Sequence, residues 1–331
     1  MDIIKRATFE AASKVGRCNL EDTVVISGSP RSGTTWLLEL LRKMPDYKAL
    51  NEPLMYEEAR DEHGFSWRTH ISPDEEAPKQ EDYIREILSG RMGISPAWYF
   101  EADSRPEQLI EHAARKKLVV KFCRLNRMLH WFTNRFEVRG VIFIVRHPCA
   151  VVASMIKHGA WDEERLQGFG DQSRQQALHG AEKLPFSDED DLGAMLDGLT
   201  TREEILAAMW ALDHYLPLVA HAKNHFPWIL VPYERLVTRG RAEVERVVDA
   251  LGLDATPEMF AQLDEPSSSV KDKLHLSAKR QLSKWQRQLS PTDIDAVLRV
   301  VDHVGLSAAY TDAIEPDYEW LNARQKPAYR W

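Results

Sequence analysis

Thr23-Val24-Val25-Ile26-Ser27-Gly28-Ser29-Pro30-Arg31-Ser32-Gly33-Thr34-Thr35-Trp36-Leu37 decides the reading of this chain. A β-branched apolar run enters a turn of Gly, Ser and Pro, and Trp36, Leu37, Leu40, Leu41 and Met44 leave it at helical spacing. A strand, a tight loop and a helix in that order make an anion cradle. The loop's backbone N–H groups and the positive end of the helix dipole point the same way, towards a phosphate.

The loop nearly satisfies the nucleotide-binding pattern G-x-x-x-x-G-K-[ST], with Gly28 and Gly33 at the glycine positions and Thr35 at the Ser/Thr position. Thr34 stands where that pattern requires lysine, and Arg31 is the only cation of the loop. That combination points away from ATP hydrolysis. A second apolar run, Val141-Ile142-Phe143-Ile144-Val145, reads as a strand buried on both faces. It ends in Arg146-His147-Pro148 rather than in the Asp that would hold Mg²⁺ on a nucleoside triphosphate. Ser154 follows eight positions after Arg146, and an Arg and a Ser can bind a phosphate with no metal between.

Pro30-Arg31-Ser32-Gly33-Thr34-Thr35-Trp36 resembles the 5′-phosphosulfate loop, P-[KR]-[SA]-G-T-[TS]-[WL], of sulfotransferases that use 3′-phosphoadenosine 5′-phosphosulfate (PAPS). Arg146-His147-Pro148 with Ser154 resembles the 3′-phosphate motif of the same family, in the right order and at the family's Arg-to-Ser spacing. The resemblance covers about residues 22–306 and is motif-specific near these segments, Tyr233 and Trp285. It implies an α/β, P-loop-NTPase-like three-layer fold, with a central parallel sheet of about five strands flanked by helices. It also implies PAPS as co-substrate, PAP as product, and no metal.

Composition fits such an enzyme. A chain of 331 residues with 44% hydrophobic and 28% charged residues can bury one large core, so a single domain is expected over 1–331. A formal charge of −8 argues against nucleic acid as the main partner, while leaving room for a local basic pocket. Cys18, Cys123 and Cys149 have neither paired nor zinc-like spacing, which suits a reducing, cytoplasmic setting. No run approaches transmembrane length.

Apolar runs predict strands at Thr23–Ser27, Lys48–Leu50, Leu118–Phe122, Val141–Val145 and Trp228–Val231. Helical spacing predicts helices at Thr34–Met44, Ala150–Lys157, Glu203–His225, Arg241–Leu251 and Pro291–Val304. Ser290-Pro291 with Asp293 reads as a capping box, and Thr256-Pro257-Glu258 repeats the cap-then-proline start. Two irregular stretches, about 56–106 and 159–200, interrupt the alternation and are expected to be acceptor-site or lid segments. The first carries Phe65, Trp67, Trp98, Tyr99 and Phe100 and is read as an acceptor-pocket wall, with ordinary packing as the alternative. The acidic Ser187–Asp191 run is read as solvated surface.

The resemblance then assigns roles. The loop N–H groups around Ser32 and Gly33, Arg31, and the Thr34 and Thr35 hydroxyls would hold the 5′ end, with Arg31 stabilising the leaving phosphate. Arg146 and Ser154 would hold the 3′-phosphate, and Trp36 would stack on the base or pack as a first-turn core aromatic. Tyr233, in Tyr233-Glu234-Arg235-Leu236, matches the family's Y-E-x-L segment near the adenine. Many members place a catalytic histidine after the strand that here reads Leu118-Val119-Val120-Lys121-Phe122, but Cys123-Arg124-Leu125-Asn126 contains none. Another branch of the family places a glutamate after the first helix, and Glu52 stands there as candidate base, with His63, His70 and His130 in reserve. Lys121 resembles the family's second catalytic lysine, and a snorkelling lysine at the core edge would look the same. The family's R-K-G-x-x-G-x-W-K segment has only a loose, glycine-free counterpart, in which Arg280 and Lys284 at i,i+4 spacing are the phosphate candidates. The expected reaction is transfer of a sulfuryl group to a hydroxyl, or as second choice an amine, of a small or medium-sized, lipid- or natural-product-like acceptor. A P-loop small-molecule kinase and a non-catalytic nucleotide-binding adaptor are the alternatives.

Overall fold

β1 (Thr23–Ser27) forms the centre of a five-stranded sheet, and β2 (Tyr47–Asn51), β3 (Lys117–Phe122), β4 (Gly140–Val145) and β5 (Ile229–Pro232) complete it. The structure is a computed structural model that describes residues 16–66, 68–92, 95, 97–99, 106–159, 184, 189–220, 225–268 and 277–331. The spatial order is β2-β3-β1-β4-β5, and every adjacent pair is parallel. All five expected strands are present within one residue at either end, because each is an apolar run that only a doubly covered sheet can bury.

Parallel neighbours need crossovers, and helices supply them. Those that bear on the site are α1 (Thr34–Leu41), α2 (Pro78–Leu88), α3 (Pro148–His158), α4 (Arg202–Tyr215), α5 (Tyr233–Arg239), α6 (Arg241–Ala250), α7 (Pro257–Leu263), α8 (Ala278–Leu282) and α9 (Pro291–His303). Side chains alternate across each strand, so one sequence builds two cores. Val24, Ile26, Ile142 and Ile144 pack with Leu37 and Leu41 of α1 and Val248 of α6. Val25, Phe143 and Val145 pack on the other face with Val152 of α3, Trp210 of α4 and Val301 of α9. Each such burial contributes on the order of 1.5–3 kcal/mol. The result is three layers.

Helix ends show where local chemistry overrides periodicity. The capping box of α9 forms as expected, Ser290 accepting from the Asp293 N–H while the Asp293 carboxylate accepts from the Ser290 N–H. Thr256 caps α7 by accepting from the Met259 N–H. α1 stops at Leu41, not Met44, as the chain tightens into 3₁₀-type bonds from Lys43 to Leu40 and from Met44 to Leu41. α4 was expected to reach His225 but is α-helical only to Tyr215, and Leu216–Ala220 widen into a π turn. Pro217 has no N–H to donate, which interrupts the regular ladder at that turn.

The aromatic stretch is a correction to the sequence reading. Phe65 and Trp98 are core residues packed with Ile84 and Ile87 of α2, and the Tyr99 hydroxyl donates to Glu39 at 2.6 Å. Burial of aromatic area outweighed exposure at a pocket wall. Trp67 and Phe100 lie outside the described residues, as do residues 160–183 and 185–188 of the second stretch. What matters for the site is the position of β1. β3 lies on one side of it and β4 on the other, so the loops after β1 and β4 open side by side at a switch point of the sheet.

Candidate functional site

The turn from β1 into α1 is held by its backbone. Ser32 N–H donates to the Ser29 carbonyl at 3.2 Å, and both Arg31 (φ 69°) and Gly33 (φ 94°) are left-handed. A Cβ on Gly33 would lie 2.6 Å from Cδ2 of Tyr233, and one on Gly28 would lie 2.5 Å from the Ile144 carbonyl oxygen of β4. Only glycine lets the loop pass this close. No side chain caps the start of α1, so its first N–H groups remain for an anion, as does the Ser32 hydroxyl, which is buried without a hydrogen-bond partner.

The turn after β4 leans against this loop. Arg146 Nη1 donates to the Arg31 carbonyl at 2.9 Å, and its guanidinium lies 4.4 Å from the centre of the Tyr233 ring. Its Nε is buried and makes no hydrogen bond. In return Arg31 Nε donates to Oγ of Ser154, on α3, at 3.2 Å. Burial, and then the charge of Arg146, lower the Arg31 pKa. A buried guanidinium that a neighbouring cation depresses marks a place where an anion is welcome.

A cavity of about 430 Å³ joins the two turns. Arg31, Gly33, Thr34, Thr35 and Trp36 line it from one side and Arg146 and Ser154 from the other, with Tyr233 and Lys284 completing the wall. Trp36 meets Tyr233 edge-on at 6.1 Å, and Gln281 of α8 donates to the Tyr233 hydroxyl at 2.5 Å. A larger cavity of about 530 Å³ shares Trp36, but its one cation, Arg241, is stacked 3.7 Å over Phe260. The anion chemistry belongs to the smaller cavity.

Behind the loop lies a buried ionic cluster. Lys121, at the end of β3, donates to Thr35 Oγ1 at 3.2 Å and pairs with Glu52 at 3.3 Å. Burial opposes its charge, yet neighbouring Cys123 and Glu52 more than offset this and its pKa is raised. Glu52 Oε1 accepts the Cys123 N–H at 2.7 Å, whereas Oε2 makes no hydrogen bond and stands 3.6 Å from Arg124. Thr34 Oγ1 lies 3.6 Å from the Cys123 sulfur, and burial pushes that thiol up to about 12. Glu52 is itself left-handed (φ 55°), with its N–H donating to the Lys121 carbonyl at 2.9 Å just before Pro53. Left-handed backbone at a side-chain-bearing residue costs on the order of 1–3 kcal/mol and collects at functional positions.

Arg280 is exposed and does not line the cavity. Its i,i+4 pairing with Lys284 fails because α8 ends at Leu282 and the chain turns at Ser283 into a separate 3₁₀ segment, Lys284–Arg287. Trp285 of that segment is buried against His147, ring centres 4.7 Å apart. Of the reserve histidines, His63 stacks on Tyr83 and His130 meets Trp228 edge-on, both in aromatic packing. The sequence reading missed Lys157, Ser267, Gln281 and Gln288 in the cavity wall. Lys157 alone carried a signal, three residues beyond Ser154 on the same face of α3.

A sequence profile described as "Sulfotransferase domain" matches residues 21–297. The chain belongs to the sulfotransferase family. It is 27% identical over 290 residues to Nodulation protein NoeE of Sinorhizobium fredii, a match that covers 84% of this sulfotransferase and 62% of NoeE. This sulfotransferase therefore aligns to less than two thirds of that relative's length. Among solved structures, the sulfotransferase domain of the curacin biosynthetic pathway is 16% identical (TM-score 0.45; 87% of this chain, 97% of that one). The sulfotransferase domain of the Synechococcus PCC 7002 olefin synthase is 18% identical (TM-score 0.43; 86% and 94%). Among the described residues, no helix is long and apolar enough to cross a membrane.

Proposed function

We propose that this sulfotransferase moves a sulfuryl group from PAPS to a hydroxyl, or as second choice an amine, of a small or medium-sized acceptor with lipid- or natural-product-like character. The observation that carries the reading is the single cavity in which Arg31 and Arg146 approach from two adjacent turns, Arg146 bonded to the Arg31 carbonyl and Arg31 to Ser154 of α3. We read the two turns as binding one molecule that carries an anion at each end. The glycine cradle, the unpartnered Ser32 hydroxyl and the unpartnered Arg146 Nε fit its phosphates.

When bound, PAPS supplies an activated sulfuryl group on its 5′-phosphate. Loop N–H groups, Thr34 and Thr35 would hold that end, and Arg31 would stabilise the bridging oxygen as charge develops on the leaving phosphate. Lys121 reaches the same place through Thr35 and keeps Glu52 close. Glu52, buried behind the cavity wall with no hydrogen bond on Oε2, is our reading of the base that takes the acceptor proton. Arg146 and Ser154 hold the 3′-phosphate, Trp36 and Tyr233 frame the adenine, and Lys284 adds charge at the cavity wall. The chain acts as one domain over 1–331, in the cytoplasm and without a metal.

A nucleotide panel read by thermal unfolding tests this. PAP at about a hundred times its Kd stabilises by about 2.7 kcal/mol, a shift of several degrees, in EDTA. ATP with Mg²⁺ gives no comparable shift. The opposite pattern would establish the kinase instead. PAP binding without sulfuryl turnover across a broad library of hydroxyl and amine acceptors would leave the adaptor.

A further inference from the structure

We propose that Glu234 is a positioning residue for the 3′-phosphate turn: its carboxylate fixes the His147 N–H, and with it Arg146, and accepts a proton when a 3′-phosphorylated nucleotide binds. The inference rests on the PAPS reading above and extends it to a residue that touches no ligand.

Glu234 is the second residue of α5, buried next to Tyr233, and its Oε1 accepts the His147 N–H at 2.9 Å. Its Oε2 is equally buried and has no hydrogen-bond partner. A glutamine could hold the His147 N–H as well, so the carboxylate adds one thing only, a charge that can be neutralised at Oε2. That charge lies beneath the turn that presents Arg146 to the cavity. Burial pushes the Glu234 carboxyl up to about 7, although the His147 N–H, its own N–H and Arg146 all pull it down.

The titratable and charged groups around it come from two parts of the chain. From the turn after β4 these are Arg146 and His147. Burial lowers the His147 pKa to about 4, with the ring stacked on Trp285 and Nε2 at 2.9 Å from the Thr311 carbonyl. From the C-terminal segment they are Tyr310 and Tyr318, both raised by burial, and Glu315, which accepts from the Tyr318 hydroxyl at 2.6 Å. Glu234 is therefore the carboxyl of this group whose burial favours its protonated form. A phosphate dianion arriving at Arg146 disfavours a second negative charge below it, and a proton from solvent bonds to Oε2. It returns to solvent when the nucleotide leaves.

Affinities of wild type and Glu234→Gln for PAP and for adenosine 5′-phosphate, measured from pH 6 to 9, test the proposal. Ionisation of the ligand is common to both proteins and cancels in their ratio. The two proteins should bind PAP alike at pH 6, and the variant should bind about tenfold more tightly at pH 9, as expected if binding raises the carboxyl by about one pK unit. Adenosine 5′-phosphate, without the 3′-phosphate, should show no such divergence. Parallel PAP curves overturn the proposal alone, whereas no PAP binding by wild type at any pH overturns the sulfotransferase reading with it. Should Glu234→Gln not fold, calorimetry of wild type at pH 8 in two buffers of different ionisation enthalpy decides. PAP should take up a proton fraction that adenosine 5′-phosphate does not, and equal uptake overturns the proposal.

Discussion

The turn after β1 and the turn after β4 share one cavity but hold their shapes by different means. The first depends on backbone: left-handed Arg31 and Gly33, and two glycines whose missing side chains let the loop lie against Tyr233 and Ile144. The second depends on side chains, with Arg146 resting on the Tyr233 ring and the Arg31 carbonyl, and His147 braced by Trp285, Thr311 and Glu234. A strained backbone cannot adjust when an atom is added, whereas a charge on a stacked side chain can shift. Substitutions in the first turn should be severe and general, and those in the second graded and specific to one end of the ligand.

The largest effect expected belongs to the cluster behind the first turn. Glu52→Gln should lower kcat by about 10²–10⁴-fold while PAP affinity stays within a few-fold. Retained turnover would return the role of base to a histidine or to water. Gly33→Ala should come next, losing on the order of 2–4 kcal/mol of stability through its φ and its clash with Tyr233, together with most PAP binding. Chemical denaturation would measure it, and an unchanged midpoint would mean that the loop relaxes at little cost.

Arg146→Ala is expected to weaken PAP by about 10–100-fold, the range for one charge-assisted phosphate contact, and adenosine 5′-phosphate much less. Equal losses for both nucleotides would show that the bond from Arg146 to the Arg31 carbonyl makes the two turns one unit. Tyr233→Phe should matter least. It removes only the bond from Gln281 and keeps the ring under Arg146, so titration should find PAP affinity within about threefold. A larger loss would mean that α8 is docked over the cavity through that hydroxyl.

Much of this was legible in the chain. Five apolar runs were legible as strands of a covered sheet, and the two motifs were legible as neighbours, since Arg31, Gly33, Arg146 and Ser154 do line one cavity. Local rules also placed Ser290 and Thr256 as caps, since a cap needs only its next three residues. Long-range placement was not legible. The pairing of Arg280 with Lys284 assumed a continuous helix that ends at Leu282, and the aromatics Phe65 and Trp98 turned out to fill the core. Nothing in sequence spacing separates an aromatic that packs from one that lines a pocket.

The sequence by itself determined the sheet, the order of its segments and the two cationic turns, because burial pattern and turn chemistry are local properties of the chain. Tertiary structure alone decided that Arg31 bonds Ser154, that Glu52 lies against Lys121 and Arg124, and that a carboxylate on α5 supports the turn after β4. Those contacts join residues up to 123 positions apart. They form only where the parallel sheet brings the ends of β1, β2, β3 and β4 together, and where burial sets which charges meet.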